Sequence, residues 1–225
     1  MPRHDRLIRL GEVWRSGLRY EPSERWVRAI RGDETIVDSK RPVVVWLEDE
    51  VVPRYAFPAE DVVAGTETQP LDEQGLAGLV LVPWGAADTW LEEEERMVAH
   101  ARDPFKRIDV RASSRHVRIE RDAELLAETT RPLLLFETGL PTRYYMPLED
   151  VQAPIEPSKR RSECAYKGVA SYFTVGGHVD IAWYYADPLP GMEQIRGLVA
   201  FFNERTDIAV DGRRAERPAT QWSSE

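Results

Sequence analysis

Cys164, Tyr166 and Lys167 fall within four residues of one another, and Gly168 follows them. A lysine beside a cysteine draws the thiol toward the thiolate that nucleophilic chemistry needs. Lys167 can instead hold an anion, and Tyr166 can donate to a ligand oxygen. The structural alternative is a buried Cys164, a packed Tyr166 and a Lys167 at a strand end. No histidine base is tied to Cys164 by sequence, so a ligand pocket ranks above covalent catalysis. Arg131 and Arg143 stand beside apolar runs, where a guanidinium needs a carboxylate or a ligand anion. Glu137, Glu149 and Asp150 are near enough in sequence to supply an internal salt bridge instead. Tyr144, Tyr145, Tyr172, Trp183, Tyr184 and Tyr185 form an aromatic set of the kind that usually builds a core. A minority of such rings can floor a pocket for a flat ligand, and Asp180 could act there as general acid or base. The candidate site is therefore Arg131, Arg143, Tyr145, Cys164, Tyr166, Lys167, Asp180 and Trp183. These groups are mostly cations and donors, so the expected ligand is a small anionic or nucleotide-like molecule.

The elements that must position these groups occur twice. Arg25-Trp26-Val27-Arg28 matches Arg115-His116-Val117-Arg118. Arg41-Pro42-Val43-Val44-Val45-Trp46 matches Arg131-Pro132-Leu133-Leu134-Leu135-Phe136. After a one-residue slip, Arg54-Tyr55-Ala56-Phe57-Pro58 matches Arg143-Tyr144-Tyr145-Met146-Pro147, and Glu60-Asp61-Val62 matches Glu149-Asp150-Val151. Two copies are too few for a solenoid, so two related domains are expected. Each reads as a hairpin turning at Gly32-Asp33 or Asp122-Ala123, then a strand apolar on both faces and opened by a proline. Such meanders must pack on something, so each copy needs its downstream half.

The downstream halves correspond more weakly. Gly85, Ala87 and Trp90 align with Gly168, Ala170 and Phe173, which sets Trp84-Gly85 against Lys167-Gly168. Arg107-Ile108-Asp109-Val110 and Arg205-Thr206-Asp207-Ile208 read as matching closing phrases. In the second copy Met192, Ile195, Leu198, Val199 and Phe202 have helical spacing after Pro188 and Pro190, predicting a helix over 191–204. Glu92–Glu95 is open between helix and extended chain. The expected organisation is an extension over 1–24, a first copy over 25–112, a second over 113–212 that carries the Cys-Tyr-Lys group, and a loose tail over 213–225. The short linker implies that the copies touch.

Composition narrows the function. The 225 residues carry a net charge of −9, so a general nucleic-acid binder is disfavoured, and the run Lys159-Arg160-Arg161 reads as a solvated loop. The charged start Met1–Arg9 lacks a signal-peptide pattern, and no window approaches the roughly 18 apolar residues of a membrane span. One cysteine excludes an internal disulfide. A cytoplasmic location, no membrane partner and no cofactor are expected. That cysteine with His4, His100, His116 and His178 cannot build a paired-cysteine zinc site. Gly176-Gly177 lacks the context of a phosphate loop. Two further readings stay open. One is a protein-interaction module presenting Trp14, Trp26 or Trp90 as an exposed patch. The other is thiol redox sensing by Cys164. Oligomeric state is not legible.

The phrase Cys164-Ala165-Tyr166-Lys167-Gly168-Val169-Ala170-Ser171-Tyr172-Phe173-Thr174-Val175 resembles the hallmark of the domain-of-unknown-function 427 family. Ala182-Trp183-Tyr184-Tyr185 and Ile195-Arg196-Gly197-Leu198-Val199-Ala200-Phe201-Phe202 resemble it too, as do the Arg-Pro strands and Tyr-Tyr-Met-Pro with Glu149-Asp150-Val151. Usual members write Cys-Pro-Tyr-Lys-Gly, so Ala165 departs at one position. The resemblance covers about residues 20–212 and implies a tandem member. It implies a mainly-β fold of two tandem β-tent-like domains, each of packed antiparallel sheets, and the family carries a nucleotidyltransferase-like label.

Overall fold

A computed structural model describes residues 19–223 except 48, 49, 51, 73 and 74. The described residues form twenty strands and four short 3-10 turns, with no α-helix. Compact units divide the chain between Pro104 and Phe105. In the N-terminal unit, β1 (Arg19–Pro22), β4 (Val43–Trp46), β5 (Arg54–Pro58), β7 (Leu79–Leu81) and β6 (Gln69–Pro70) lie in that order in one antiparallel sheet. The second sheet runs β3 (Glu34–Ser39), β2 (Val27–Arg31), β8 (Thr89–Glu92), β9 (Glu95–Arg96). The C-terminal unit has a seven-stranded sheet in the order β10 (Ile108–Ala112), β13 (Leu133–Glu137), β14 (Arg143–Met146), β18 (Val199–Phe201), β17 (His178–Tyr185), β16 (Gly168–Val175), β15 (Ile155–Cys164). Its smaller sheet runs β12 (Glu124–Thr129), β11 (Val117–Arg121), β19 (Asp207–Val210), β20 (Arg213–Arg214).

The alternation in β2 and β11 decides which face is buried. Val27 and Ala29 face inward in β2, as Val117 and Ile119 do in β11. Both hairpins share a register: Val27 opposes Ser39 and Ala29 opposes Val37, while Val117 opposes Thr129 and Ile119 opposes Ala127. Both carry a bulge at the next step. The Asp122-Ala123 turn has positive φ at both residues (51° and 66°), the backbone a two-residue hairpin needs. β4 and β13 are apolar on both faces because both faces are covered. In the C-terminal unit an inner core of Ile119, Leu126, Met146, Val199 and Phe201 lies between the sheets. An outer cluster of Leu135, Tyr145, Tyr172, Trp183, Ile195 and Phe202 covers the other face of the large sheet. Each large apolar side chain buried this way contributes about 1.5–3 kcal/mol.

The predicted helix over 191–204 is absent. Its place is taken by a 3-10 turn at Glu193–Ile195 and by β18. Gly191 (φ +87°) and Gly197 (φ +70°) adopt left-handed conformations that break a right-handed helix. β18 instead pairs with β14 and β17, so Val199 and Phe201 fill the inner core while Ala200 and Phe202 fill the outer cluster. An apolar run covered on both sides imitates helical spacing. Glu92–Glu95 resolves as extended chain, a hairpin of β8 and β9 turning at Glu93 (φ +51°).

The downstream correspondence also shifts. β8 pairs with β2 as β19 pairs with β11, which sets Trp90 against Ile208. The N–H of Glu93 bonds the Trp26 carbonyl and that of Asp211 the His116 carbonyl, both at 2.8 Å. Trp84-Gly85 therefore does not stand opposite Lys167-Gly168. Among the described residues, the strands β15, β16 and β17, which hold that phrase, have no counterpart in the N-terminal sheet, where β7 is flanked instead by the two residues of β6. β10, whose phrase reads as closing the first copy, pairs with β13 and opens the C-terminal unit, while β1 pairs with β4 in the same sense. Residues 213–223 are tied down: β20 pairs with β19, Thr220 bonds Glu204, and Trp222 packs on the outer cluster.

Candidate functional site

Period-two alternation places Glu137 of β13, Arg143 and Tyr145 of β14, and Trp183 and Tyr185 of β17 on the outer face of the seven-stranded sheet. The β15–β16 turn brings Lys167 onto the same face. Its Nζ donates to Glu137 Oε2 at 2.5 Å, and both residues are buried, at 8% exposure each. The second oxygen, Glu137 Oε1, takes Lys106 Nζ at 2.8 Å, and that ammonium lies 5.3 Å from the Tyr166 ring centroid. Burial alone would raise the Glu137 pKa, but Lys167 and Lys106 together hold it below the usual carboxylate range. Burial would likewise lower Lys167, yet the negative charge Cys164 can carry, with Glu137 and Tyr145, leaves its pKa raised. Tyr145 is buried and pushed up to about 12, and its hydroxyl accepts the Trp183 indole N–H at 3.2 Å.

A second buried pair lies beside the first. Arg143 donates through both terminal nitrogens to Glu204, each at 2.7 Å, and Nη1 also reaches Asn203 Oδ1 at 3.1 Å. Thr220 donates to Glu204 at 2.7 Å, and the guanidinium sits 5.4 Å from the Trp183 and Trp222 ring centroids. Despite burial, the hydrogen bonds and charge of Arg143 hold the Glu204 pKa low.

Six of the eight sequence-predicted residues thus share one face: Arg143, Tyr145, Cys164, Tyr166, Lys167 and Trp183. Cys164 is a half-buried free thiol at the end of β15, and Tyr166 is half-buried at the rim beside Lys106. Arg131 is not among them. It is exposed and bonds Glu149 at 2.8 Å and Asp150 at 3.3 Å, the same clip that Arg41 makes with Glu60 and Asp61 at the same distances. The internal salt bridge is the reading that holds there, because Glu149 and Asp150 engage the guanidinium. Exposed pairs add little to stability. Arg131→Ala is accordingly expected to leave the thermal unfolding midpoint unchanged, as a melting curve will show. Asp180 also lies elsewhere, in a bulge of β17 with φ +51°. Its Oδ1 is buried without a hydrogen-bond partner, and its carbonyl accepts from Arg205 at 3.2 Å.

Glu137, Glu204, Lys106 and Trp222 complete the site and were not in the predicted set. Glu137 had a legible signal, a carboxylate closing the otherwise apolar strand Leu-Leu-Leu-Phe. Glu204 is hidden by the helical reading of 191–204, Lys106 lies in the stretch assigned to the first copy, and Trp222 lies in the tail.

The turn that presents Lys167 depends on Gly168 (φ +99°). A Cβ there would meet the Asp187 carbonyl at 3.4 Å, in a backbone region that side chains rarely enter. Gly168→Ala should therefore cost about 1–3 kcal/mol, read as a lowered unfolding midpoint. The exposed-patch reading also changes. Trp90 is 4% exposed, and Trp26 lies beneath Arg28 and Lys40 with its N–H on Asp38. Trp14 lies outside the described residues.

Among the described residues, no group of three or more His, Cys, Asp or Glu is placed to hold a metal ion, and no helix is long and apolar enough to cross a membrane. A comparison with curated proteins gives no match. A family model does match, over residues 109–212, from within β10 to just past β19. The matched stretch contains the Cys164–Gly168 turn, Glu137, Arg143 and Glu204. The family that this stretch, residues 109–212, matches is described as a domain of unknown function (DUF427).

Proposed function

We propose that the C-terminal unit binds a small anionic, nucleotide-like molecule over the outer face of its seven-stranded sheet. The observation that carries this reading is that one buried carboxylate, Glu137, serves two lysines. The cluster of Lys106, Lys167 and Glu137 keeps one net positive charge, and its outer edge is the partly exposed Lys106 over the Tyr166 ring. A fixed cation in a partly desolvated aromatic setting attracts an anion more strongly than one in open water. The ring set supplies a surface for the flat part of such a ligand.

The N-terminal unit supports the reading by contrast. We take the two units as tandem copies of one β-tent-like module, on the grounds of the shared registers, bulges and Arg-Glu-Asp clips. By register, Val45, Ala56 and Leu81 stand where Leu135, Tyr145 and Ala200 stand. Leu47, two residues past Val45, takes the place of Glu137. That face is closed by Leu71 and Leu76, both at or under 5% exposure. The module is therefore completed by aliphatic packing in one copy. The buried Glu137–Lys167 pair of the other copy is not a requirement of the fold, and buried charges without need are costly.

A thermal-shift screen of the full chain against nucleotides, sugar phosphates and dicarboxylates, at low salt, tests the proposal. Stabilisation by members of the anionic panel, lost in Lys106→Ala, is the expected result. Lys106 is suited to this test because its side chain is 26% exposed and its removal leaves the Glu137–Lys167 pair in place. Flat responses across the panel, or equal shifts in both proteins, would refute it.

A further inference from the structure

Where Val52 and Pro53 meet the segment after β9, the N-terminal unit opens into a cleft of about 200 Å³. We propose that this cleft is a second binding site, for a small uncharged aromatic molecule of about indole size. Tyr55, Val82, Trp84, Trp90, Met97 and His100 line it. Volume sets the scale, since an apolar cavity of roughly 150 Å³ accepts benzene.

The walls set the chemistry. Trp84 and Trp90 lie parallel, 5.3 Å between centroids and 9° between planes. Trp90 is buried and stacks in turn on Phe57 at 6.1 Å, so one side of the stack is anchored in the core. Trp84 is 41% exposed, which leaves ring surface accessible. Its backbone is held by the Trp90 indole N–H, which donates to the Trp84 carbonyl at 2.9 Å. The tryptophan is thus presented on a fixed support. Met97 adds a polarisable thioether of the kind that packs against ring edges.

The polar groups that line the cleft already have partners, His100 among them, its ring Nδ1 lying 2.6 Å from the Ala101 carbonyl oxygen. Arg54 bonds Glu50 at 3.2 Å, and the Tyr55 hydroxyl is engaged by Glu92 and Arg25. An ionic ligand would have to displace one of these partners or enter unpaired, and an unpaired charge is the costlier case. An uncharged ring incurs neither cost. This site is separate from the anion site in residues, in chemistry and in the unit that carries it.

The test is a calorimetric titration of the full chain with indole, with benzoate as the charged comparator. Saturable one-site binding of indole, tighter than that of benzoate, is expected. Trp84→Ala should weaken it about fivefold or more, and Met97→Trp, which fills the cleft, should abolish it. The pair Glu137→Leu/Lys167→Met should leave indole affinity as in the wild type, which separates this site from the one proposed in the C-terminal unit. Far-UV circular dichroism checks that each variant folds, and either cleft variant alone suffices. Absence of saturable indole binding to the wild type, unchanged affinity in a folded cleft variant, or equal affinity for benzoate overturns the proposal.

Discussion

Glu137→Leu is expected to lower the stability of the C-terminal unit by about 3–5 kcal/mol, because it strands the buried Lys167 ammonium. Side-chain exposure of 10% for Lys167 and 4% for Glu137 leaves little water to replace the lost carboxylate. On the proposed tandem reading, Leu47 of the N-terminal unit holds the equivalent position, so leucine is expected to fit there. The loss is therefore one of pairing and not of shape. The double variant Glu137→Leu/Lys167→Met should recover most of it, because replacing both buried charges by apolar groups of similar size is often neutral or stabilising. Denaturant midpoints of the wild type, the single and the double variants measure both effects. If the single variant unfolds at the wild-type midpoint, the pair is not buried as described.

The same pair sets a pH dependence. Glu137 is depressed in the folded state, so its contribution is present above its ordinary value of 4.5 and is lost as pH falls through the lower folded value. Lys167 is raised, so its contribution is present below 10.5 and is lost as pH rises through the higher folded value. The stabilisation by the pair is flat between these limits and falls away on both sides. The double variant should lose both flanks.

Arg143→Leu carries the other large effect, again about 3–5 kcal/mol, because it leaves the Glu204 carboxylate buried without its fork. The Glu204 side chain is 0% exposed and the Arg143 side chain 6%. Thr220 remains as a donor to Glu204, but one hydroxyl cannot replace two charged N–H groups. Arg143→Lys should fall between leucine and wild type, since an ammonium cannot reproduce the bidentate geometry. Because Trp222 rests against the guanidinium, Arg143→Leu should also shift tryptophan emission toward that of a solvated indole. A denaturation curve followed by that emission reads both outcomes at once.

How far the sequence carried depends on the range of the interactions involved. The hairpins at residues 27–39 and 117–129 were legible because alternation and turn residues are local signals. The central strands were legible as apolar runs opened by Pro42 and Pro132. β18 was not, since Val199 falls in the helical spacing of Met192, Ile195, Leu198 and Phe202, and only pairing with β14 and β17 reveals the segment as extended. At the site, the Cys164–Gly168 turn and the aromatic strand of Trp183 were legible as a compact phrase. The pairings that close the site were not. Glu137 lies thirty residues from Lys167, and Glu204 lies sixty-one from Arg143. Such pairings depend on strand order, which local pattern does not encode. Arg131 and Arg143 look alike in sequence, each beside an apolar run. The fold separates them, one into an exposed clip and the other into a buried fork.

The central claim is that the C-terminal unit's outer sheet face takes an anion beside Lys106, Glu137, Tyr166 and Lys167. The most direct measurement is a backbone-amide NMR titration of the full chain with adenosine 5′-monophosphate at low ionic strength. Saturable shifts should concentrate at Lys106, Glu137 and the Cys164–Gly168 turn, while Val27–Pro58 stays in place. Shifts that fail to saturate, or that concentrate in the N-terminal unit, would contradict the claim.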